Sequence, residues 1–507
     1  MEGKKGEVES SKIKLRDNPQ RRKERVFIGC GAGFGGDRPL AALKLLQKVD
    51  KLDYLVLECL AERTLADRYQ ITMSGGKGFD PRISEWMSLL LPLSVEKSVC
   101  IITNMGAMDP LGAQKAVLDV AKSLSLDITV SVVNEIPLSK SGTALMLVLV
   151  ELLLRPSITY FVVYKSVHGT VLPVEEYNIM KGVRSYYSNC ENSGTSEQAM
   201  AVVSYSTEQG VSTYLGAGPI VQCLEDHEAH VIVTSRVADA ALFLGPMVYE
   251  LGWNWNDFEQ LAQGSLAGHL LECGCQLTGG YFMHPGDEYR NLSFEQLLDL
   301  SLPYAEVWFD GQVFVAKADG SGGALNCSTC TQQLLYEVGD PSAYITPDVV
   351  IDFQNVYFCP LSKDKICCIG AMPSKMSVPD KLLQLVPKFC GWKGWGEISY
   401  GGHGCVKRAE AASFLVRSWM NEAFPGVGDL IASYIIGLNS LRVTSSNEDT
   451  SSRQNAMDVR LRMDGLFEKE EHAVHFTLEF MALYTNGPAG GGGISTGHKK
   501  EIILSKE

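Results

Sequence analysis

The chain has 507 residues, of which 45% are hydrophobic and 21% are charged, which is the composition of an ordinary globular protein. Because this length exceeds what one hydrophobic core usually holds, we predict two packed units. The net charge of -14 argues against a nucleic-acid partner, since proteins that bind phosphate backbones carry clusters of Lys and Arg. The fourteen cysteines lack the spacing of a disulfide framework or of a paired zinc motif, so we expect free thiols, no metal ion and a cytoplasmic location.

The N-terminal residues 1–25 mix basic with acidic side chains and contain no apolar block. This pattern predicts a disordered tail, and neither a signal peptide nor a transit peptide. The longest apolar run, residues 144–154, is too short to span a bilayer and contains Glu151, so no membrane partner is expected.

Short apolar runs alternate with helical patterns through the first half of the chain. The order β-α-β-α is typical of a parallel sheet with right-handed crossovers. We therefore predict an α/β fold, with a parallel sheet in an N-terminal unit of residues 26–287. The predicted strands are Val26 to Gly29, Tyr54 to Glu58, Val99 to Thr103, Ile128 to Val133 and Val231 to Ser235.

Beyond these strands the organisation changes twice. Residues 136–211 are rich in Ser, Tyr and Asn and predict an irregular insertion into the first unit. From residue 288 onward, mixed strand and helix patterns predict a second, α+β unit that extends to residue 483. Residues 484–507 form a Gly-rich C-terminal segment, for which we favour a linker.

The loop after the first predicted strand contains Gly31, Gly33 and Gly36 and precedes a helical pattern. This is the arrangement of a dinucleotide-binding loop, in which glycines let the backbone approach a pyrophosphate. Asp37 follows directly, and its carboxylate would face that pyrophosphate or cap the next helix. Cofactor binding and simple turn formation both remain open, and no cofactor is identified.

Two further loops follow predicted strands and carry polar residues. Asn104 and Gly106 would bind a carbonyl or carboxylate group of a substrate, although turn formation explains them almost as well. Arg236 and Asp239 lie three residues apart at the start of a predicted helix. Arg236 would clamp an anion while Asp239 orients it, or the two would form a surface ion pair.

Residues 264–287 form a short predicted helix that ends in a Gly-Gly turn. Helical spacing places His269 and Glu272 on one face, where they would serve as a general acid and base or simply pack. Gly279 and Gly280 would offer backbone N–H groups to an anion. We expect one site that combines these residues with the loops above, because ligands bind beyond the carboxyl ends of parallel strands.

Six blocks of sequence resemble the acyclic terpene utilisation protein AtuA family, in a form similar to its plant members. The resemblance covers roughly residues 26–134 and 212–497. The blocks are Tyr54-Leu-Val-Leu-Glu-Cys-Leu-Ala-Glu62, Ser235-Arg-Val-Ala-Asp-Ala-Ala241, Leu244-Gly-Pro246, Gly264 to Gly286, Tyr336-Glu-Val-Gly-Asp-Pro341 and Thr346-Pro-Asp348.

The resemblance implies a cytosolic metabolic protein, tied in bacteria to the breakdown of acyclic terpenes through acyl-CoA intermediates. Family members continue after the run Gly490 to Gly493 into a small ferredoxin-like domain. This chain ends soon after that run, so we expect it to lack that domain. The family has no settled reaction, so the resemblance assigns no catalytic residue.

The leading functional hypothesis is an enzyme that acts on a small carboxylate or an acyl-CoA thioester, with lyase or hydratase chemistry. Glu272 or His269 would be the general base, with Asp239 as orienting residue and Arg236, Asn104, Gly106, Gly279 and Gly280 as substrate-binding groups. The alternatives are an NAD(P)-dependent oxidoreductase that uses the Gly31 loop, and a non-catalytic metabolite-binding or assembly protein. The expected partner is a small molecule, and a homo-oligomer is left open.

Overall fold

The computed structural model of the protein describes residues 20–136, 148–151, 157–163, 212–226, 228–284, 286–288, 290–379, 383–440 and 456–506. The chain forms two compact units. Unit 1 comprises the residues up to Val386 together with 505–507, and unit 2 comprises Pro387–Leu504. Residues 1–19 of the predicted tail lie outside the described residues, as does most of the predicted insertion. The tail residues 20–25 are described, and Arg25 begins the first strand.

Unit 1 is built on a sheet of eleven described strands in the order β13-β14-β10-β9-β1-β2-β3-β8-β4-β6-β5. The strands from β1 to β6 in this order are parallel, and those on the β9 side and β5 are antiparallel. The strands are β1 (Arg25–Ala32), β2 (Tyr54–Leu57), β3 (Cys100–Thr103), β4 (Val130–Ile136), β5 (Val148–Glu151), β6 (Ser157–Val163), β8 (Val231–Thr234), β9 (Pro303–Trp308), β10 (Val313–Lys317), β13 (Tyr357–Ser362) and β14 (Lys365–Ile369). Shorter strands are β7 (Ser212–Thr213), β11 (Tyr344–Ile345), β12 (Val350–Asp352) and β15 (Met372–Pro373).

Helices cover both faces of this sheet. Alternating residues of β1 show why: Val26 and Ile28 join the core with α5 to α7, whereas Phe27 joins the core with α1, α3 and α4. The helices are α1 (Pro39–Lys48), α2 (Glu62–Met73), α3 (Ile83–Glu96), α4 (Pro110–Ser123), α5 (Gly218–Asp226), α6 (Asp239–Leu251), α7 (Phe258–Glu272), α8 (Phe294–Leu298) and α9 (Cys327–Leu335).

Glycines fix the close packing of α6 on α7. A Cβ atom at Gly268 would lie 2.6 Å from the carbonyl oxygen of Ala240, so only glycine lets the last turns of α7 approach the first turn of α6. Most residues of α6 and α7, from Ala240 to Glu272, are buried. This contact brings Glu272, at the end of α7, towards Asp239, at the start of α6.

In its described residues, unit 2 contains four strands of one sheet and two long helices that pack on a shared core. Its elements follow the order β-α-β-β-α-β, and the sheet order is β17-β18-β16-β19, which is the topology of a ferredoxin-like fold. The chain therefore contains a ferredoxin-like unit, although the resemblance had placed such a domain after Gly493. The elements are β16 (Gln384–Gly401), α10 (Cys405–Ala423), β17 (Ile431–Ile436), β18 (Asp458–Phe467), α11 (Glu470–Asn486) and β19 (Gly491–Lys506).

The predicted fold class is confirmed, because all five predicted strands are present and, together with β6, form the parallel part of the sheet. Two features differ from the sequence patterns. Strands β9, β10, β13 and β14, which follow residue 288, extend the first sheet, and the division between the units falls at Val386. The Gly-rich C-terminal segment is occupied by the end of α11 and by β19. Among the described residues, no helix is long and apolar enough to cross a membrane.

Candidate functional site

Three loops that follow neighbouring parallel strands meet at one edge of the sheet. Asn104, after β3, donates from Nδ2 to Glu58 Oε1 at 2.9 Å, and its Oδ1 accepts the N–H of Cys59 at 2.8 Å. Arg236, after β8, lies with Nη1 3.7 Å from the same Glu58 oxygen. All three side chains are buried. The sequence prediction that polar strand ends come together thus holds for these residues, but Asn104 is committed to holding Glu58.

Arg236 is 1% exposed, and its guanidinium is held on several sides. Nη1 lies 2.8 Å from Asp239 Oδ1 and donates to the carbonyl oxygen of Leu60, while Nη2 donates to Asp239 Oδ2 at 3.3 Å. The ring of Tyr214 covers its face at 4.3 Å. This pairing with Asp239 is the buried form of the ion pair expected from the sequence. Nε faces no partner among the described residues.

A second set of contacts extends from Tyr214 to the C-terminal residues of unit 1. The Tyr214 hydroxyl donates a short hydrogen bond to Glu62 Oε1, and Lys506 Nζ lies 2.7 Å from the same oxygen. Although burial raises it, these two donors lower the pKa of Glu62 to about 2. Glu62 is therefore ionised at neutral pH, and its charge is balanced by Lys506.

His269 and Glu272 form the predicted pair on one face of α7. Nδ1 of His269 lies 2.7 Å from Glu272 Oε1, and Nε2 lies 3.1 Å from the carbonyl oxygen of Leu334. Because a carbonyl oxygen can only accept, Nε2 carries a proton, and neither ring nitrogen faces open space. Burial has the largest single effect and lowers the pKa of His269, but Glu272, the hydrogen bond to Leu334 and Glu337 together raise it above its ordinary value. The ring thus orients Glu272, whose buried Oε2 has no hydrogen-bond partner among the described residues.

Aromatic rings hold the other side of His269. Its ring lies 4.9 Å from the ring of Tyr344 and 5.8 Å from that of Phe353. The Tyr344 hydroxyl is 3.4 Å from His269 Nδ1. Burial raises the pKa of Tyr344 well above its ordinary value, and the charges of Glu272 and Asp239 raise it further. Tyr344 is therefore a neutral hydroxyl that lies near both carboxyl groups.

Carboxyl groups outnumber cations in this site. Burial raises the pKa of Glu58 and raises that of Asp239 well above the ordinary range, and Glu272 adds to both shifts while Arg236 opposes them. The side chain of Asp239 is still 29% exposed, so of these carboxyl groups it is the one open to solvent. The site consequently combines a Glu272 oxygen that has no hydrogen-bond partner in the described part of the chain with carboxyl groups that retain protons more readily than usual.

The Gly-rich loop after β1 has its own internal anion. Asp37 Oδ2 accepts the N–H of Gly33 at 2.9 Å, and the N–H of Phe34 also lowers the pKa of Asp37, although burial has the larger effect and raises it. Gly31 lies within β1, where a Cβ atom would overlap Leu57, and at Gly36 it would overlap the ring of Phe34. The N–H of Gly33 is therefore already used by Asp37, which leaves less of this loop for a pyrophosphate.

Gly33 instead positions Glu272. A Cβ atom at Gly33 would lie 2.5 Å from the carbonyl oxygen of Glu272 and closer still to the backbone of Cys273 and Gly274. The loop after β1 therefore packs directly on the end of α7. This close approach is the physical reason for a glycine at position 33.

The remaining predicted backbone groups serve the loops in which they lie. At Gly106, a Cβ atom would lie 2.5 Å from the carbonyl oxygen of Thr234, so this glycine lets the loop after β3 approach the end of β8. Gly280 donates its N–H to the carbonyl oxygen of Cys275 at 2.7 Å. Gly279 has φ +99° and packs on Ala324. The structure brings Asn104, Arg236, Asp239, His269 and Glu272 into one neighbourhood, with these glycines in supporting turns.

No three His, Cys, Asp or Glu side chains in the described ranges are arranged to hold a metal ion. A buried carboxyl group that the sequence pattern did not single out, Asp348, accepts the N–H of Ala217 at 3.0 Å at the start of α5. Burial raises the pKa of Asp348 to about 7. Asp348 belongs to the sequence block Thr346-Pro-Asp348, and Tyr344 lies shortly before it. This block was the sequence feature that could have identified both residues. Tyr214 had no comparable signal.

The sequence matches the family described as "Acyclic terpene utilisation family protein AtuA" over residues 26–142 and 158–505. The match covers nearly the whole chain, including all the site residues above. No curated protein and no solved structure matches the chain.

Proposed function

The chain belongs to the acyclic terpene utilisation family AtuA, and on that premise we propose that it is a lyase or hydratase that acts on an acyl-CoA thioester. The observation that carries the proposal is the carboxylate of Glu272. One of its oxygens is held by His269, and the other is buried and unpartnered among the described residues. A carboxylate with a fixed orientation and a free oxygen is suited to remove a proton from carbon.

The proposed base is Glu272, and His269 is a positioning residue. Both ring nitrogens of His269 face oxygen atoms, of Glu272 and Leu334, so the ring has no free nitrogen with which to reach a substrate. Its contribution is to fix the carboxylate and to balance its charge. This arrangement resembles the orienting groups that support a general base in other enzymes.

The proposed acid is a carboxyl group beside Arg236. Burial and neighbouring carboxylates raise the pKa of Asp239 well above its ordinary value, although Arg236 opposes the shift, so Asp239 takes up a proton more readily than an ordinary aspartate. In a dehydration, Glu272 Oε2 would take the proton from the carbon next to the thioester carbonyl. Asp239 would give its proton to the hydroxyl group that leaves the next carbon, so that an enoyl thioester and one water molecule result. Addition of water is the reverse sequence.

The charge of the site favours a thioester over a free carboxylate at the reacting end. Arg236 is already paired with Asp239 and lies near Glu58, so it has little capacity for another anion. A substrate carboxylate about 4 Å from one uncompensated carboxylate would be repelled by about 4 kcal/mol at an effective dielectric constant of about 20. A thioester carbonyl carries no net charge and avoids this repulsion.

The test is exchange of the acidic proton with deuterated water. A panel of saturated, 2-enoyl and 3-hydroxyacyl-CoA thioesters, linear and branched, is incubated with the protein, and mass spectrometry measures deuterium uptake and the gain or loss of water. We expect at least one thioester to exchange with the wild type, and Glu272→Gln to reduce that exchange at least a hundredfold, in the range that general-base catalysis contributes.

The matched control is Glu259→Gln, the same change at an exposed position on the same helix. It should leave exchange unchanged. If no thioester takes up deuterium and none gains or loses a water molecule, the proposal is refuted. A thioester or carboxylate that raises the melting temperature without any exchange would instead support the metabolite-binding alternative.

A further inference from the structure

Two cysteines face each other on a hairpin at the edge of the unit 1 sheet. The hairpin consists of β13 and β14, and β13 is the terminal strand of the sheet in its described part. In the antiparallel register, Cys359 lies directly opposite Cys367. Both thiols are free, and both side chains are partly exposed. The hairpin lies outside the site described above, and the proposed function uses neither cysteine.

The register brings these residues close to disulfide geometry. Directly opposed residues of an antiparallel pair have Cα atoms about 4.5 or 5.5 Å apart, depending on the hydrogen-bonding pattern. Both values fall within the range of about 4.4 to 6.8 Å that disulfides span. The Cβ atoms of directly opposed residues lie about 4.5 to 5.5 Å apart, slightly more than a disulfide needs, so closure requires a small inward shift. An edge strand can make such a shift because it has a neighbour on one side.

Neighbouring cysteines do not share this arrangement. Cys368, next to Cys367, is fully buried and joins the core on the other face of the sheet. Cys327 donates from Sγ to the carbonyl oxygen of Phe358 at 3.5 Å, so its thiol is engaged with the backbone of β13. Cys359 and Cys367 are register partners on one face of the hairpin, which separates them from both neighbours.

We propose that Cys359 and Cys367 form a redox-active dithiol that closes to an intramolecular disulfide when a small-molecule disulfide, such as oxidised glutathione, reaches the hairpin. One cysteine thiolate attacks the glutathione disulfide, forms a mixed disulfide and releases one glutathione. The second thiolate attacks the protein sulfur of the mixed disulfide and releases the other glutathione. The dithiol loses two electrons and two protons, and these reduce one glutathione disulfide to two thiols.

The surroundings set the pH at which this exchange is fast. Burial and the neighbouring Cys359 raise the pKa of Cys367, while the ammonium group of Lys365 opposes that shift. Because the thiolate is the nucleophile, the rate of closure should rise about tenfold per pH unit between pH 7 and 8. The dithiol is therefore a slow site at neutral pH and a fast one in mildly alkaline solution.

The experiment uses the reduced full-length protein. It is incubated with mixtures of oxidised and reduced glutathione at pH 7 and pH 8, its remaining thiols are alkylated, and tryptic peptides are analysed by mass spectrometry. We expect one cross-link, between the peptide that contains Cys359 and the peptide 366–375, and release of two glutathione molecules per chain. Cys359→Ser and Cys367→Ser should each abolish it. Cys390→Ser, at another partly exposed cysteine on β16, should leave it unchanged.

Each alternative outcome overturns the proposal. Persistence of the cross-link in Cys367→Ser would assign it to Cys368, and persistence in Cys359→Ser would assign it to Cys327 or Cys330. Stable glutathione adducts on Cys359 and Cys367, with no cross-link in the wild type, would show that the two thiols react independently. A rate that does not rise from pH 7 to pH 8 would refute thiolate attack as the limiting step.

Discussion

Replacing Arg236 by Met removes the cation of the buried cluster while nearly preserving its volume. The guanidinium lies 2.8 Å from Asp239 and 3.7 Å from Glu58, which corresponds to about 6 and about 4.5 kcal/mol of attraction at an effective dielectric constant of about 20. Part of this attraction is offset because the variant no longer has to bury the guanidinium away from water. Solvent also screens the pair with Asp239, which is partly exposed. The net expectation is the cost of breaking a buried pair, about 3–5 kcal/mol in the free energy of unfolding at pH 7.5.

The cost should depend on pH with a defined sign. Arg236 lowers the pKa of Glu58 and Asp239, so its removal raises their folded-state pKa further. An acid whose folded-state pKa is raised contributes stability at low pH that is lost as the pH rises. The variant should therefore be closest to the wild type near pH 5 and furthest from it near pH 8, with a change of up to about 1.4 kcal/mol per pH unit for each carboxyl group involved.

Urea denaturation followed by hydrogen exchange of peptides from unit 1 measures this without interference from unit 2. The matched control is Arg290→Met, because Arg290 and Asp287 form an ion pair of the same spacing at 2.7 Å, with Arg290 43% exposed. That change should cost less than about 1 kcal/mol. The reasoning is refuted if the two variants lose similar stability, or if the loss in Arg236→Met does not shrink towards pH 5.

Three further predictions concern the same unit. Gly33→Ala places a Cβ atom against the backbone of Glu272 and should destabilise the protein by about 1–3 kcal/mol and impair turnover. Gly339→Ala, where no atom lies within 4 Å of the added Cβ, should do neither. Thermal denaturation of both variants measures the difference in stability. Asp348→Asn should gain stability relative to the wild type as the pH rises from about 4 to about 7, and the gain should then level off. The reason is that burial raises the pKa of this carboxyl group to about 7. A difference in stability that stays constant with pH would contradict that assignment. His269→Phe should lose stability mainly below about pH 6.5, where the raised pKa of His269 keeps the ring charged in the folded state. The difference in stability from the wild type should shrink as the pH rises. A difference that grows above pH 7 would contradict the charge pairing with Glu272.

The strands of unit 1 could be predicted because burial on both faces of a parallel sheet demands continuous apolar runs. The runs that become β1, β2, β3, β4 and β8 have that composition, and polar residues follow each of them. The antiparallel extension by β9, β10 and β14 was less visible, since the strand patterns after residue 288 do not identify the sheet that they join. Pairing partners depend on contacts distant in sequence, and composition does not specify them.

The ferredoxin-like unit shows the same limit. The run from Ala489 to Gly493 suggested a linker, because consecutive glycines favour flexible backbone. In the structure β19 begins at Gly491 and joins the sheet of β16, β17 and β18. Close packing accounts for Gly491, where a Cβ atom would lie 2.7 Å from Ile398, whereas Gly490 and Gly493 have φ of +72° and +65°. Local flexibility and tight packing select the same residue, so the sequence pattern alone does not separate them.

What the sequence by itself determined was the fold class, the edge of the sheet that carries polar residues, and the His269–Glu272 pair, since each follows from local periodicity and helical spacing. Only the tertiary structure shows which side chains of that site are engaged. It showed that Arg236 is occupied by Asp239, that both nitrogens of His269 are engaged, and that Glu272 keeps one oxygen unpartnered among the described residues. Hydrogen-bond partners and burial arise from residues far apart in the chain, and they determine which polar side chains are free to act.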